Sequence, residues 1–118
     1  MQDSDALTYG ELGELGRRLS THLAVDLGLS AGDRVALMMP NVLSYPVSMC
    51  GVFWAGCVVV NVNPMYTARE VRHQLLDSGA RAIIVAELFA GTVRAALDGT
   101  SRIAVIIVPS AGVPSVDL

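Results

Sequence analysis

The side chains best suited to acid–base chemistry are four carboxylates and one histidine: Asp33, Glu70, Asp77, Glu87 and His73. Each carboxylate stands at a predicted turn, helix cap or helix end, where a local structural role accounts for it. His73 falls on the polar face of a predicted helix, which favours a solvated side chain over a general base. We therefore predict no catalytic residue in this chain.

The cysteines and histidines do not have the spacing of a metal site. Cys50 and Cys57 lie in an apolar stretch, and His22 and His73 are remote from them in the sequence. No metal-binding residue is predicted, and buried free thiols in a reducing compartment are the better interpretation. The acidic N-terminus differs from a secretory signal, so a cytoplasmic location is expected.

The glycines do not form a phosphate-binding motif. Gly10, Gly13 and Gly16 recur at three-residue steps, but they fall inside a predicted helix, which favours close helix packing over a dinucleotide fingerprint. The sequence has neither a P-loop nor a serine nucleophile elbow, so no cofactor-binding residue is predicted. Tyr66 is the one loop aromatic placed to contact a ligand, although packing is favoured for it too.

Charge and hydropathy limit the partners. The net charge is -3 and the eight Lys and Arg residues are scattered, so no nucleic-acid partner is expected. Residues 35–68 carry no charge, but prolines and polar residues leave only 49–60 uninterrupted, less than the roughly 20 residues of a spanning helix. A buried helix and strand are favoured over a membrane span, with a small membrane protein using residues 42–62 as an alternative.

Capping boxes, turn residues and apolar periodicity predict the elements that hold these side chains. Helices are predicted at 8–27, 43–55, 67–78 and 88–97, and strands at 34–39, 57–62, 81–85 and 103–108, with 109–118 as a loose tail. This alternation predicts an α/β fold with a parallel sheet of about four strands flanked by helices. Ligands of such sheets bind at the carboxyl ends of the strands, here 39–41, 61–66, 86–87 and 109–110.

Four segments together resemble the adenylate-forming (AMP-binding) enzymes. Leu7–Leu12 is similar to the first core motif of that family and Trp54–Pro64 to the second, while Gly32–Asn41 and Asp77–Ala80 match a strand with its turn and a helix end. The order and spacing agree over residues 6–108. Within the family, Asn61–Glu70 most resembles bacterial long-chain fatty-acid CoA ligases.

This resemblance implies that residues 1–108 form part of an N-terminal subdomain of an acyl-CoA synthetase. Its implied reaction joins a fatty acid to CoA through an acyl adenylate, with ATP and Mg²⁺. The phosphate loop, metal-binding Glu, ribose-binding Asp and catalytic Lys of the family lie downstream, so no site residue carries over. Both ends of the chain are therefore expected to be cut, and the chain alone is expected to bind no cofactor and to be inactive.

Two further expectations concern partners. A stand-alone binding or interaction module on the same scaffold is the alternative to a ligase fragment, because an uncovered sheet edge can pair with another chain. With 53% hydrophobic and 16% charged residues, the isolated chain is expected to self-associate. Peripheral membrane association of the parent enzyme is compatible with the resemblance.

Overall fold

The structure, a computed structural model, describes residues 8–40, 44–100 and 102–110. Helices and strands alternate along the chain as the sequence predicts. They are α1 (Tyr9–Thr21) with a π-helical turn (His22–Asp26), β1 (Arg34–Met38), α2 (Ser44–Trp54), β2 (Val58–Asn61), α3 (Ala68–Ser78), β3 (Ala82–Ala86) with a 3₁₀ turn (Glu87–Phe89), α4 (Ala90–Ala96) and β4 (Ala104–Val108). The predicted α/β fold is confirmed.

Both predicted capping boxes form. The Thr8 hydroxyl accepts from the Glu11 amide at 3.1 Å, and the Glu11 carboxylate accepts from the Thr8 amide at 3.1 Å. Thr67 and Glu70 repeat this arrangement at the start of α3, with distances of 3.3 and 3.0 Å. Two otherwise unpaired amides are thereby satisfied at each helix start, which fixes where each helix begins.

The four strands form one parallel sheet in the order β2-β1-β3-β4. β1 pairs with β2 through Val35 and Val59, and with β3 through Val35 and Ala82. β3 in turn pairs with β4 through Ala82 and Ala104. β1 and β3 are therefore central, while β2 and β4 form the edges of the sheet.

The sequence predicts a buried second strand, and this prediction is wrong. β2 is an edge strand whose residues are exposed or half-buried, and Val58 is 49% exposed. A run of β-branched residues favours a strand wherever the strand lies in the sheet. Such a run does not indicate whether the strand has a neighbouring strand on both of its edges.

Helices cover both faces of the sheet and enclose two apolar clusters. α1 and α2 lie on one face, where Leu19, Leu23 and Val52 pack with Leu37 and Ile84. α3 and α4 lie on the other face, where the cluster contains Val71, Leu75, Val93, Met38 and Ile83. Alternate residues of β1 and β3 thus enter opposite clusters, as expected for strands buried on both faces.

α1 and α2 approach each other closely at two glycines. A Cβ atom added to Gly51 would lie 2.6–2.8 Å from the Cδ2, Cγ and Cβ atoms of Leu19. One added to Gly16 would lie 2.8 Å from Cζ3 of Trp54 and 3.1 Å from Cβ of Cys50. Close helix packing, predicted for three glycines of α1, is therefore confirmed for Gly16. Gly10 and Gly13 make no such contact with α2.

The end of the described chain is attached to the rest of the fold. The Ser44 hydroxyl donates to the carbonyl of Pro109 at 3.2 Å, and the Leu88 amide donates to the Ser110 hydroxyl at 2.8 Å. The remainder of the predicted tail, 111–118, lies outside the described residues, as do Leu7, 41–43 and Ser101. Within the described ranges, no helix is both long and apolar enough to span a bilayer.

Candidate functional site at the carboxyl edge of the sheet

A depression of about 710 Å³ opens where β1 and β2 end. Its walls come from the last residues of both strands, from the segment after β2 and from the start of α2. They are Leu37, Met39, Pro40, Tyr45, Asn61, Val62, Asn63 and Pro64. The carboxyl ends of parallel strands meet at the same edge, which places this depression at two of the four predicted positions.

Two helices converge on Asn61 in the wall of this depression. The Tyr45 hydroxyl of α2 donates to Oδ1 of Asn61 at 3.0 Å. Nε2 of Gln74 in α3 donates to the main-chain carbonyl of Asn61 at 2.9 Å. Asn63 closes the following turn by accepting the Met65 amide at 2.9 Å on its Oδ1. The polar groups of the wall are thus engaged in holding the end of β2.

Among the described residues, the lining of the depression contains no carboxylate, imidazole, amine or guanidinium group. Its polar side chains are Tyr45, Asn61 and Asn63, and its other five lining side chains are apolar, so the depression suits an apolar group or a covering segment. None of these described side chains carries a positive charge that could neutralise a phosphate.

Of the carboxylates and the histidine singled out in the sequence, Glu70, His73 and Asp77 share one side of α3, while Asp33 and Glu87 lie elsewhere. Asp33 lies in the turn before β1 and accepts the Ser30 amide at 2.8 Å, while Glu87 begins the turn after β3. Glu70 caps α3, and its hydrogen bonds from the Thr67 amide and hydroxyl lower the pKa of its carboxyl. His73 is exposed on α3, as predicted.

Tyr66 packs in the way favoured from the sequence. It is half-buried against the apolar cluster beneath α3 and α4. It also borders a shallow cleft of about 430 Å³ along α3, together with Arg69, Glu70, His73, Gln74 and Asp77. Across the described ranges, no three His, Cys, Asp or Glu side chains lie close enough together to hold a metal ion.

The two cysteines differ in their surroundings. Cys57 is buried at the start of the β2 segment, and burial, followed by the negative charge of Asp33, raises the pKa of its thiol. A protonated thiol is a poor nucleophile, so Cys57 is chemically quiet at neutral pH. Cys50 is only partly buried beside Gly16. The prediction of buried free thiols is therefore confirmed for Cys57 and wrong for Cys50, because α2 packs only part of its surface against α1.

A parallel sheet covered by helices on both faces, with a ligand-sized depression at its carboxyl edge, is an architecture typical of α/β enzymes. The family model described as "AMP-binding enzyme" matches residues 1–116. The chain belongs to this family.

Curated relatives support the same family. The chain is 52% identical over 97 residues to a long-chain-fatty-acid–CoA ligase of Salmonella typhimurium, and 47% identical over 95 residues to one of Haemophilus influenzae. These matches cover 82% and 80% of the chain. In both cases the chain spans 17% of the length of the relative.

Solved structures share the fold. A benzoate CoA ligase from Burkholderia xenovorans LB400 superimposes with a TM-score of 0.82 at 32% identity, covering 91% of this chain and 22% of that one. A Mycobacterium tuberculosis fatty acyl CoA synthetase gives 0.74 at 32% identity, covering 86% and 21%. The sheet and helices match the N-terminal part of adenylate-forming ligases, which confirms the resemblance found in the sequence.

Sequence reasoning missed Tyr45 and Gln74 as partners of Asn61. Both contacts join residues from different elements, 16 and 13 positions away from Asn61 in the chain. The sequence contains no signal for either contact, because Gln74 follows two polar residues, Arg72 and His73, and its partial burial is visible only in the structure. Its Nε2 finds a partner at the end of β2, while its Oε1 is buried without a partner among the described residues.

Proposed function

We propose that this chain is a scaffold segment of a long-chain fatty-acid CoA ligase and that it supplies no catalytic group to the reaction. The observation that carries the proposal is the 52% identity to a ligase of that name over 82% of the chain. The described lining of the carboxyl-edge depression contains no carboxylate, imidazole or cationic side chain, which supports a structural role. The two free cysteines favour a reducing compartment, so we place the parent ligase in the cytoplasm.

The proposed reaction of the parent has two steps. A fatty carboxylate attacks the α-phosphorus of ATP and releases pyrophosphate, and the thiol of CoA then displaces AMP from the acyl adenylate. Mg²⁺ takes six oxygen ligands in near-octahedral geometry. Within the described ranges, no three His, Cys, Asp or Glu side chains lie close enough together to hold a metal ion, and Glu70 is engaged as a helix cap, so these residues do not fit such an ion. No step is therefore assigned to a residue of this chain.

The first test is catalysis by the chain alone. We expect the purified 118-residue chain to release no pyrophosphate from ATP, Mg²⁺ and a long-chain fatty acid above a heat-killed control. An intact long-chain ligase assayed beside it establishes that the assay detects adenylation. Turnover that follows the chain through purification would contradict the proposal.

A stand-alone interaction module is the second candidate, and the observation that favours it is that the outer edges of β2 and β4 pair with no other strand in the described part of the chain. The same edges lead us to propose that the chain by itself self-associates. The apolar side chains Phe53, Trp54 and Val58 are 58%, 51% and 49% exposed, and β4 contains no charged residue. Free apolar edges and exposed apolar side chains favour association between copies.

Light scattering of freshly purified chain at neutral pH distinguishes the two candidates. We expect species larger than the 12.4 kDa monomer if the chain is a scaffold segment. A monodisperse monomer that melts cooperatively would favour the independent module.

A further inference from the structure

We propose that a second cleft, at the amino edge of the sheet, binds an amphipathic anion: a carboxylate or phosphate carried on an apolar chain. The cleft measures about 580 Å³ and lies where β3 and β4 begin, at the opposite end of these strands from the carboxyl edge. Arg81, Arg102 and Thr100 supply its polar groups, and Leu75, Ala80 and Ile103 its apolar ones. The proposal does not rest on the ligase assignment.

The backbone register places the cationic groups together. Arg34 begins β1, Arg81 directly precedes β3, and Arg102 lies two residues before β4. The Arg81 amide donates to the carbonyl of Arg34 at 2.8 Å, and the Ala104 amide donates to the carbonyl of Arg81 at 3.2 Å. Nη2 of Arg34 also reaches the carbonyl of Gly79, in the cleft wall, at 3.5 Å. Three arginines are thus gathered at one edge of a chain whose net charge is -3.

Little negative charge compensates these arginines. Arg81 approaches Oδ2 of Asp33 only to 3.8 Å, and the Arg81 side chain is 55% exposed. Within the described ranges, Arg102 forms no ion pair, and no carboxylate lines the cleft. Like charges on neighbouring strands repel each other. An anion between the guanidinium groups of Arg81 and Arg102 would remove that repulsion and accept paired hydrogen bonds from them.

The floor of the cleft determines what the anion is attached to. Leu75, Ala80 and Ile103 are 0%, 5% and 9% exposed and belong to the apolar cluster beneath α3 and α4. Because these three side chains are almost fully buried, most of the accessible apolar side-chain surface at the cleft comes from Leu76, which is 55% exposed. An apolar chain laid along this surface leaves water, whereas a fully hydrated inorganic anion gains nothing from it. The combination therefore selects a charged head group with an apolar tail.

Titration calorimetry of the full chain tests this inference with four probes below their aggregation concentrations: octanoate, octyl phosphate, octanol and inorganic phosphate. We expect both amphipathic anions to bind, and the tighter of the two identifies the head group. Octanol lacks the charge and inorganic phosphate lacks the tail, so each should bind at least about tenfold more weakly. Equal binding of octyl phosphate and inorganic phosphate, or of octanoate and octanol, would overturn the proposal, as would binding of none.

A pair of double variants localises the site. Arg81→Gln with Arg102→Gln should weaken octanoate binding about tenfold or more, because charge-assisted hydrogen bonds are lost. Arg17→Gln with Arg94→Gln removes the same charge from exposed helix surfaces outside the cleft. This variant should leave binding within about twofold, because salt screens exposed charges. Circular dichroism verifies that both variants fold. Equal losses in the two variants would show that only net charge matters and would reject the cleft.

Amide resonances of the labelled chain give a second readout that does not depend on any substitution. On adding octanoate, we expect shifts at residues 79–81 and 102–104 and none at Tyr45 or Asn61. Shifts confined to the carboxyl edge would place the ligand in the wrong cleft and reject the inference. Neither result changes the expectation for pyrophosphate release, so failure of this proposal is separable from failure of the ligase assignment.

Discussion

Replacing Gly51 with alanine is expected to destabilise the chain by about 1–3 kcal/mol, the range for overpacking a close-packed core. The new Cβ would lie within 2.8 Å of three atoms of Leu19, including its own Cβ. Leu19 is 2% exposed and cannot swing outward, so α1 and α2 have to separate. Urea unfolding of the 118-residue chain, followed by circular dichroism, measures the effect.

Gly91→Ala is the matched control for this substitution. Gly91 also lies inside a helix, α4, but a Cβ added there meets nothing within 4 Å. Because alanine avoids the entropic cost of glycine in a helix, the free energy of unfolding of this variant should rise by about 0.5–1 kcal/mol. The two substitutions are therefore expected to have opposite signs. If Gly51→Ala also stabilises the chain, the close approach of α1 to α2 is not a determinant of stability.

Gly56→Val is expected to cost about 1–3 kcal/mol from backbone strain alone. Gly56 has φ 76° in the turn between α2 and β2, a left-handed conformation that β-branched residues rarely adopt. A Cβ added there would also lie 3.3 Å from Cβ of Ala31. This turn is also fixed to the segment before β1, because the Gly32 amide donates to the carbonyl of Gly56 at 2.8 Å.

Gly28→Val separates the two sources of this cost. Gly28 has φ 67°, but a Cβ added there meets nothing within 4 Å. The stability lost on Gly28→Val should therefore reflect strain without the contact to Ala31. In thermal unfolding, this variant should lose less stability than Gly56→Val. In an intact ligase, Gly56→Val should reduce soluble yield before it alters substrate affinity. An unchanged melting temperature with a selectively raised KM for ATP would contradict this structural role.

Most of the fold could be predicted because its signals are local. The capping boxes at Thr8 and Thr67 and the left-handed glycines at 56 and 79 act within a few residues, and they fix where helices begin and end. The exposure of β2 could not be predicted, because it depends on the strand order β2-β1-β3-β4. That order is set by packing between elements distant in the chain and leaves no mark on the Val58–Asn61 run itself.

The candidate site divides in the same way. Its position follows from a general rule for parallel sheets, and the rule needs only the predicted ends of β1 and β2. Its internal geometry does not, because Tyr45 and Gln74 reach Asn61 from two separate helices. Gly51 was missed for a related reason: its contact is with Leu19 of α1, and nothing beside it in the sequence marks a helix crossing.

The position of β1 in the middle of the sheet also bears on how the chain folds during synthesis. β1 leaves the ribosome before the other three described strands, yet one of its edges stays open until β3 arrives, after residues 39–81 have been added. At 5–20 residues per second, this interval lasts about 2–9 s. α1, β1, α2 and β2 can meanwhile assemble one face of the sheet, but β1, a central strand, waits for its second neighbour. The nascent chain therefore exposes an apolar strand edge for seconds, the period in which a chaperone would be expected to bind it.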